Sequence, residues 1–285
     1  MQICRFDNNR VGLVNAGRVF DITHIAARAI ESLPSSPSGD PLIAALPAMH
    51  AAWPVDNTTL ASKPLSEVKL LSPVARPGKI VAAPVNYRAH IAEMQANNVS
   101  PGFNITDIGK AGLFLKANSS LVGPSQGISQ RFLDRRTDFE VELVVVIGRE
   151  ADRVDAASAL DHVAGYSLGL DITVRGTEDR SFRKSCDTYT VLGPWLTTAD
   201  AIANPDALQL SLKQNGEMRQ NTNTNDMVWN VARLIEFASS FYTLHPGDLL
   251  FTGTPEGVGP IRPGDLLQAS CAELGQMDVS VRAAE

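Results

Sequence analysis

Cysteine is scarce in this 285-residue chain: Cys4, Cys186 and Cys271 are the only three, far apart and odd in number. That excludes a disulfide framework and a CxxC zinc site, and it suits thiols in a reducing compartment. Long apolar runs are missing as well; none reaches the roughly 18 residues a transmembrane helix needs. The opening MQICRFDNNR has no apolar stretch of the kind a secretion signal carries. A soluble, cytoplasmic protein with no membrane partner is expected. Runs of lysine and arginine are also absent, and the net charge is −6. That argues against a nucleic-acid partner, and an anionic substrate must find its positive charge locally. The five histidines show no HExxH spacing, and FTGTPEGVGP lacks the GxxxxGK[ST] pattern of a P-loop.

What is present reads as an ordinary globular chain, with 44% apolar and 20% charged residues. Residues 1–72 look like a small N-terminal α+β domain. QICRF and GLVNAGRVFDI suggest strands around a polar turn at DNNR. THIAARAIESL suits a helix capped by Thr23, PSSPSGDP reads as a loop, and an Ala-rich helix follows it. LLSPVARPGK marks the boundary. Residues 73–285 then read as a mostly β domain, with apolar runs at 79–85, 112–116, 139–147, 163–170, 208–213, 248–252 and 265–271. One helix interrupts at NDMVWNVARLIEFASSFYTL. Its stripe is Val228, Val231, Leu234, Ile235, Ala238 and Phe241, its cap Asn225 or Asp226, and HPGD stops it. PGDLL occurs at Pro246 and at Pro263, each time as a turn feeding a strand.

TDFEVELVVVIGRE, from Thr137 to Glu150, is unusual. Alternation in a strand puts Asp138, Glu140 and Glu142 on one face at the mouth of an apolar strand, with Glu140 and Glu142 about 7 Å apart. A half-exposed strand accounts for that pattern. So does a bound cation, because VAGYSLGLDITVR also ends on a carboxylate, Asp171. Three acids on two strand ends suit a hard divalent ion such as Mg²⁺ or Mn²⁺, which relieves their like-charge crowding. In NYRAHIAEM, His90 and Glu93 lie one helical turn apart. They are either a surface pair or a base held in one tautomer by a carboxylate. Lys116 in GLFLKANSSLVGP and Lys184 in FRKSCDTYTVLGPW sit among small and apolar neighbours, either as snorkelling surface residues or as buried cations. GYSLG matches the G-x-S-x-G elbow with Ser167 at its centre, but GLDITVRG continues as strand where the elbow needs a helix. Residues 94–110, rich in Asn and Gly, read as a loop placed to close over His90.

Taken in order, NYRAHIAEM, LFLKANSSLVGP, DFEVELVVVIG, AGYSLGLDITVRG, FRKSCDTYTVLGPW, PGDLLFTGTPEGVGP and RPGD resemble the fumarylacetoacetate hydrolase family over residues 70–285. The resemblance implies a mixed β roll or sandwich with a small N-terminal domain, and a homodimer. It implies Mg²⁺ or Mn²⁺ on Glu140, Glu142 and Asp171. His90 and Glu93 would orient and deprotonate a water, and Lys184 would stabilise developing negative charge. Arg175, Thr254 and Lys116 would bind the 2-oxo acid substrate. Glu178 stands where some relatives carry glutamine, and no role is assigned to it. The implied activity is metal-dependent hydrolysis of a C–C bond in 2,4-dioxo acids of the acylpyruvate type, through an enolate. The alternatives are oxaloacetate-type decarboxylation, isomerisation or hydration of unsaturated 2-oxo diacids, a serine esterase using Ser167, and a non-catalytic binding protein.

Overall fold

The computed structural model describes residues 1–34, 38–51, 60–97 and 107–284. Its main sheet runs, in spatial order, Ser62–Pro64, Arg18–Asp21, Arg10–Asn15, Gln2–Phe6, Thr190–Thr198, Val163–Asp171, Val141–Ile147, Leu249–Phe251, Ile80–Ala82 and Phe114–Lys116. Leu70–Leu71 and Leu121–Val122 pair off this path. The strands within the first 71 residues thus extend the same sheet, through antiparallel pairing of Gln2 with Thr197 and Ile3 with Leu196. A second sheet holds Glu217–Asn223, Gln209–Gln214, Leu266–Cys271, Gly275–Ala283 and Ile128–Gln130. A small third one holds Thr173–Val174, Thr137–Phe139 and Gly259–Pro260. This is the mixed, mostly β architecture expected.

The run of apolar residues from Leu143 to Ile147 is buried on both faces, which is why it does not alternate with polar ones. Leu143, Val145 and Ile147 pack with Leu210, Leu212, Leu267 and Val279 of the second sheet. Val144 and Val146 face the other way, onto Ile3, Ile22, Ile43 and Met49 of the N-terminal segment. Each apolar run named above contains a strand. The expected turns at Pro246 and Pro263 are present, with Gly247 at φ +86° and Gly264 at φ +98° ahead of their strands. Among the described residues no helix is long and apolar enough to cross a membrane.

Three local expectations need correction. The long helix spans Val231–Phe241 and is capped by Asn230, whose side chain accepts from Arg233 N–H. Asn225 and Asp226 lie in a short 3₁₀ turn before it, and Val228 and Phe241 are exposed. The reason is tertiary: Val228 and Trp229 donate to Asn86 instead. The first helix, Thr23–Glu31, has Ile22 at its cap position, while the Asp21 carboxylate takes the Thr23 N–H. The loop expected at residues 94–110 begins and ends as helix, in Arg88–Asn97 and Ile108–Ala111. Its centre, residues 98–106, lies outside the described residues, as do 35–37 of the PSSPSGDP loop.

Candidate active site

The strand expected to carry Asp138, Glu140 and Glu142 is interrupted at Glu140. Thr137–Phe139 belongs to the small sheet and Val141–Ile147 to the large one, so the chain changes sheets at that residue. Val141–Ile147 runs antiparallel to Val163–Asp171, with Glu142 opposite Gly169 and Val141 opposite Leu170. The start of one strand therefore meets the end of the other. One ligand oxygen from each of Glu140, Glu142 and Asp171 lies within 4.8 Å of the others, and all three residues are buried. Close approach at this point depends on Gly169, where a side chain would reach within 2.5 Å of Phe251 and Val144.

Cations surround this triad. Lys184 bridges Glu140 Oε2 at 2.7 Å and Asp171 Oδ2 at 2.6 Å. Lys116 contacts Asp171 Oδ1 and donates to the Tyr189 carbonyl at 3.0 Å. Arg175 reaches Glu140 Oε1 at 2.9 Å and Asp138 Oδ2 at 2.7 Å. Both lysines are buried cations, not snorkelling surface residues. Burial disfavours charge on Glu140, but Lys184 and Arg175 outweigh it and hold that carboxyl below the usual range. Burial also opposes the charge on Lys184, yet Asp171 and Glu140 prevail and raise its pKa. For Lys116 burial wins over Asp171 and lowers it. Glu142 differs from its neighbours. Burial and then repulsion from Asp171 push its carboxyl well above the usual range.

That conflict is the test of whether a metal fits. The donors are three carboxylates, a set that suits a hard divalent cation. The triad holds one carboxyl whose negative charge the protein leaves poorly compensated. A divalent ion would supply that compensation, so the residues present fit it.

His90 lies on the Arg88–Asn97 helix, buried, with Nδ1 3.1 Å from Glu93 Oε2. Glu93 Oε1 accepts the Gly257 N–H at 3.1 Å. With a proton on Nδ1 facing Glu93, Nε2 is the basic nitrogen. The helix is anchored just upstream. Asn86 donates to the carbonyls of Trp229 and Thr252 and accepts from Trp229 N–H. The segment around Thr254 joins the two halves of the site: Gly253 N–H donates to Glu142 Oε2 at 2.7 Å, and Thr254 Oγ1 donates to the Val141 carbonyl at 2.9 Å.

Lys184, Lys116 and Arg175 contact Glu140 or Asp171 of the triad, and the segment at residues 253–257 reaches both Glu142 and Glu93. Thr254, Arg175 and Lys116, which the resemblance put on the substrate, hold protein groups here: Val141, the Asp138–Glu140 pair and Asp171. Glu178 pairs with Arg135 at 2.9 Å, away from the triad's own contacts. The esterase alternative fails. Ser167 is fully buried within the continuous Val163–Asp171 strand, and its hydroxyl lies 2.8 Å from the Trp195 carbonyl and 3.1 Å from that of Gly193. Two contributors were missed. Asp138 was placed on the strand face of Glu140 and Glu142 without a role and here holds Arg175, and Gln220 carried no signal at all in EMRQNTN.

A β sandwich with a buried carboxylate triad beside a His–Glu pair defines a metal-dependent enzyme. The chain belongs to the fumarylacetoacetate hydrolase family, whose C-terminal domain model matches residues 79–282. Among relatives, it is 51% identical to a maleylpyruvate hydrolase of Aquipseudomonas alcaligenes over 99% of both chains. It is 38% identical to the mitochondrial oxaloacetate tautomerase Fahd2a of Rattus norvegicus, over 74% of this chain and 69% of that one. In solved structures, it matches the maleylpyruvate hydrolase of Sphingobium sp. SYK-6 in complex with manganese(II) and pyruvate. The TM-score there is 0.84, at 35% identity over 100% of both chains.

Proposed function

We propose that this chain is a Mg²⁺- or Mn²⁺-dependent hydrolase that cleaves a C–C bond in 2,4-dioxo acids of the acylpyruvate type. The observation that carries the reading is the buried Glu140, Glu142 and Asp171 triad beside the His90–Glu93 pair. Identity to a maleylpyruvate hydrolase along the whole chain supports the substrate class. When bound, the divalent ion supplies a Lewis acid for the 2-oxo acid end of the substrate. Glu93 fixes the His90 ring, and Nε2 takes a proton from water. The hydroxide so formed attacks the 4-carbonyl, and the bond between carbons 3 and 4 breaks. Its electron pair stays on the pyruvate fragment, opposite the Lys184 ammonium, and protonation of carbon 3 completes pyruvate and a carboxylic acid. Arg175 helps keep Glu140 ionised, and Lys116 holds Asp171 in place. Oxaloacetate tautomerisation or decarboxylation is the second reading, supported by the 38% identical tautomerase.

The free state of all three cysteines supports a cytoplasmic setting. A homodimer is supported by the exposed Phe182 and Leu115 beside a cavity of about 620 Å³. A panel of acylpyruvates, oxaloacetate and unsaturated 2-oxo diacids tests the activity. Turnover is expected for acylpyruvates with Mn²⁺, to vanish in excess EDTA, and to persist in Ser167→Ala. Activity that ignores the chelator would refute the metal reading.

A further inference from the structure

Gln220 lies on the Glu217–Asn223 strand, far from the catalytic residues in sequence, and is 1% exposed. Its Oε1 accepts the Val141 N–H at 2.9 Å. Its Nε2 donates to Thr254 Oγ1 at 2.9 Å and to the Pro255 carbonyl at 3.0 Å, with the Glu256 carbonyl at 3.4 Å. Val141 is the residue between Glu140 and Glu142. On the side of that strand where Leu249–Phe251 pairs, the ladder covers only Val144, Val145 and Val146. Further along, the outward groups of Val141 need other partners. Gln220 takes the N–H and Thr254 takes the carbonyl.

The same amide therefore grips both the ligand-bearing strand and the segment at residues 253–257. That segment carries two backbone donors, Gly253 N–H on Glu142 and Gly257 N–H on Glu93. Both glycines have positive φ, +95° and +89°, so the backbone can turn each N–H inward. A side chain at Gly257 would also strike the Arg219 carbonyl, next to Gln220 in sequence, at 2.0 Å.

We propose that Gln220 is a positioning residue that sets the spacing between the carboxylate triad and the His90–Glu93 pair. It touches neither substrate nor metal and acts through Val141, Thr254 and the two glycine amides. The proposal rests on the hydrolase reading above for its kinetic arm only.

Gln220→Met keeps the length and removes both hydrogen-bonding functions. In the Mn²⁺-loaded enzyme kcat should fall about 10–100-fold, with KM within about threefold, because the groups are displaced rather than removed. Gln220→Glu keeps the acceptor for Val141 and turns the other oxygen toward three oxygens, so it should not recover the rate. The arm independent of activity is amide NMR on the metal-free protein, where the Gly253 and Gly257 resonances should both shift in Gln220→Met. If that variant does not fold, Thr254→Val removes one link of the same network, and smaller shifts of the same two amides are expected. Unmoved glycine amides in the folded variant overturn the proposal, as does a kcat equal to that of the parent. A parent enzyme inactive on every acylpyruvate, with both amides still shifting, sinks the hydrolase reading and leaves the role of Gln220 standing.

Discussion

Replacing His90 with alanine should lower turnover on acylpyruvates by on the order of 10²–10⁴ while Mn²⁺ still binds. The base is lost, but Glu140, Glu142 and Asp171 are held by Lys184, Lys116, Arg175 and Gly253, none of which depends on the imidazole for its contact. Mn²⁺ titration followed by electron paramagnetic resonance, beside steady-state kinetics, separates the two effects. An unchanged kcat would remove His90 from the mechanism. Glu93→Gln should lose less, because its carboxylate only orients the ring. Burial opposes the Glu93 charge, but hydrogen bonds from His90 and Gly257 overcome it and hold its pKa below the usual range. Glu93 therefore stays ionised at neutral pH. Its support is lost only as pH falls through that lowered value, so an activity loss above pH 6 comes from another group.

Glu142→Gln should abolish both metal binding and turnover and leave the protein folded. The more telling outcome concerns stability without metal. The Glu142 carboxyl is raised in the folded state, so between the unfolded and folded pKa values the native protein binds the extra proton. Stability of the metal-free parent then falls as pH rises through that window. Glutamine has no proton to lose and keeps an oxygen for the Gly253 N–H. The metal-free variant should melt at or above the metal-free parent at pH 8. Mn²⁺ at 100 times its dissociation constant should stabilise the parent by about 2.7 kcal/mol and leave the variant unmoved. Calorimetry with and without Mn²⁺ checks both halves. A variant that still gains stability from Mn²⁺ would take Glu142 out of the ligand set.

The parts of this site legible in the sequence were those with short-range patterns. Glu140 and Glu142 stood out because alternation made two charges share a face in an apolar strand. His90 and Glu93 are one turn apart, and Asp171 closes an apolar run. The break at Glu140 was not legible, because a change of sheet depends on which strands pair from afar. Thr190–Thr198 was missed for a related reason. It runs through Gly193 and Pro194, which read as turn residues, yet Pro194 falls where its register with Val163–Asp171 shifts, between Tyr166 and Leu168. Such an irregularity accommodates proline within a sheet. Gln220 was invisible because one amide among several in a polar strand looks like solvent-facing surface. Its burial comes from a segment more than 30 positions later in the chain.

The N-terminal strands have a consequence for anyone trimming this protein. The family match begins at residue 79, which invites expression of the remainder alone. That piece would lose the Gln2–Phe6 strand, and with it the partners of Leu196 and Thr197. It would also lay bare the apolar face of Val144, Val146 and Leu192 that now packs on Ile3, Ile22 and Met49. An open sheet edge beside an uncovered apolar face is a template for self-association. Shortened forms are better sought by loop removal than by deleting the first 78 residues, which shield the sheet that carries the catalytic carboxylates.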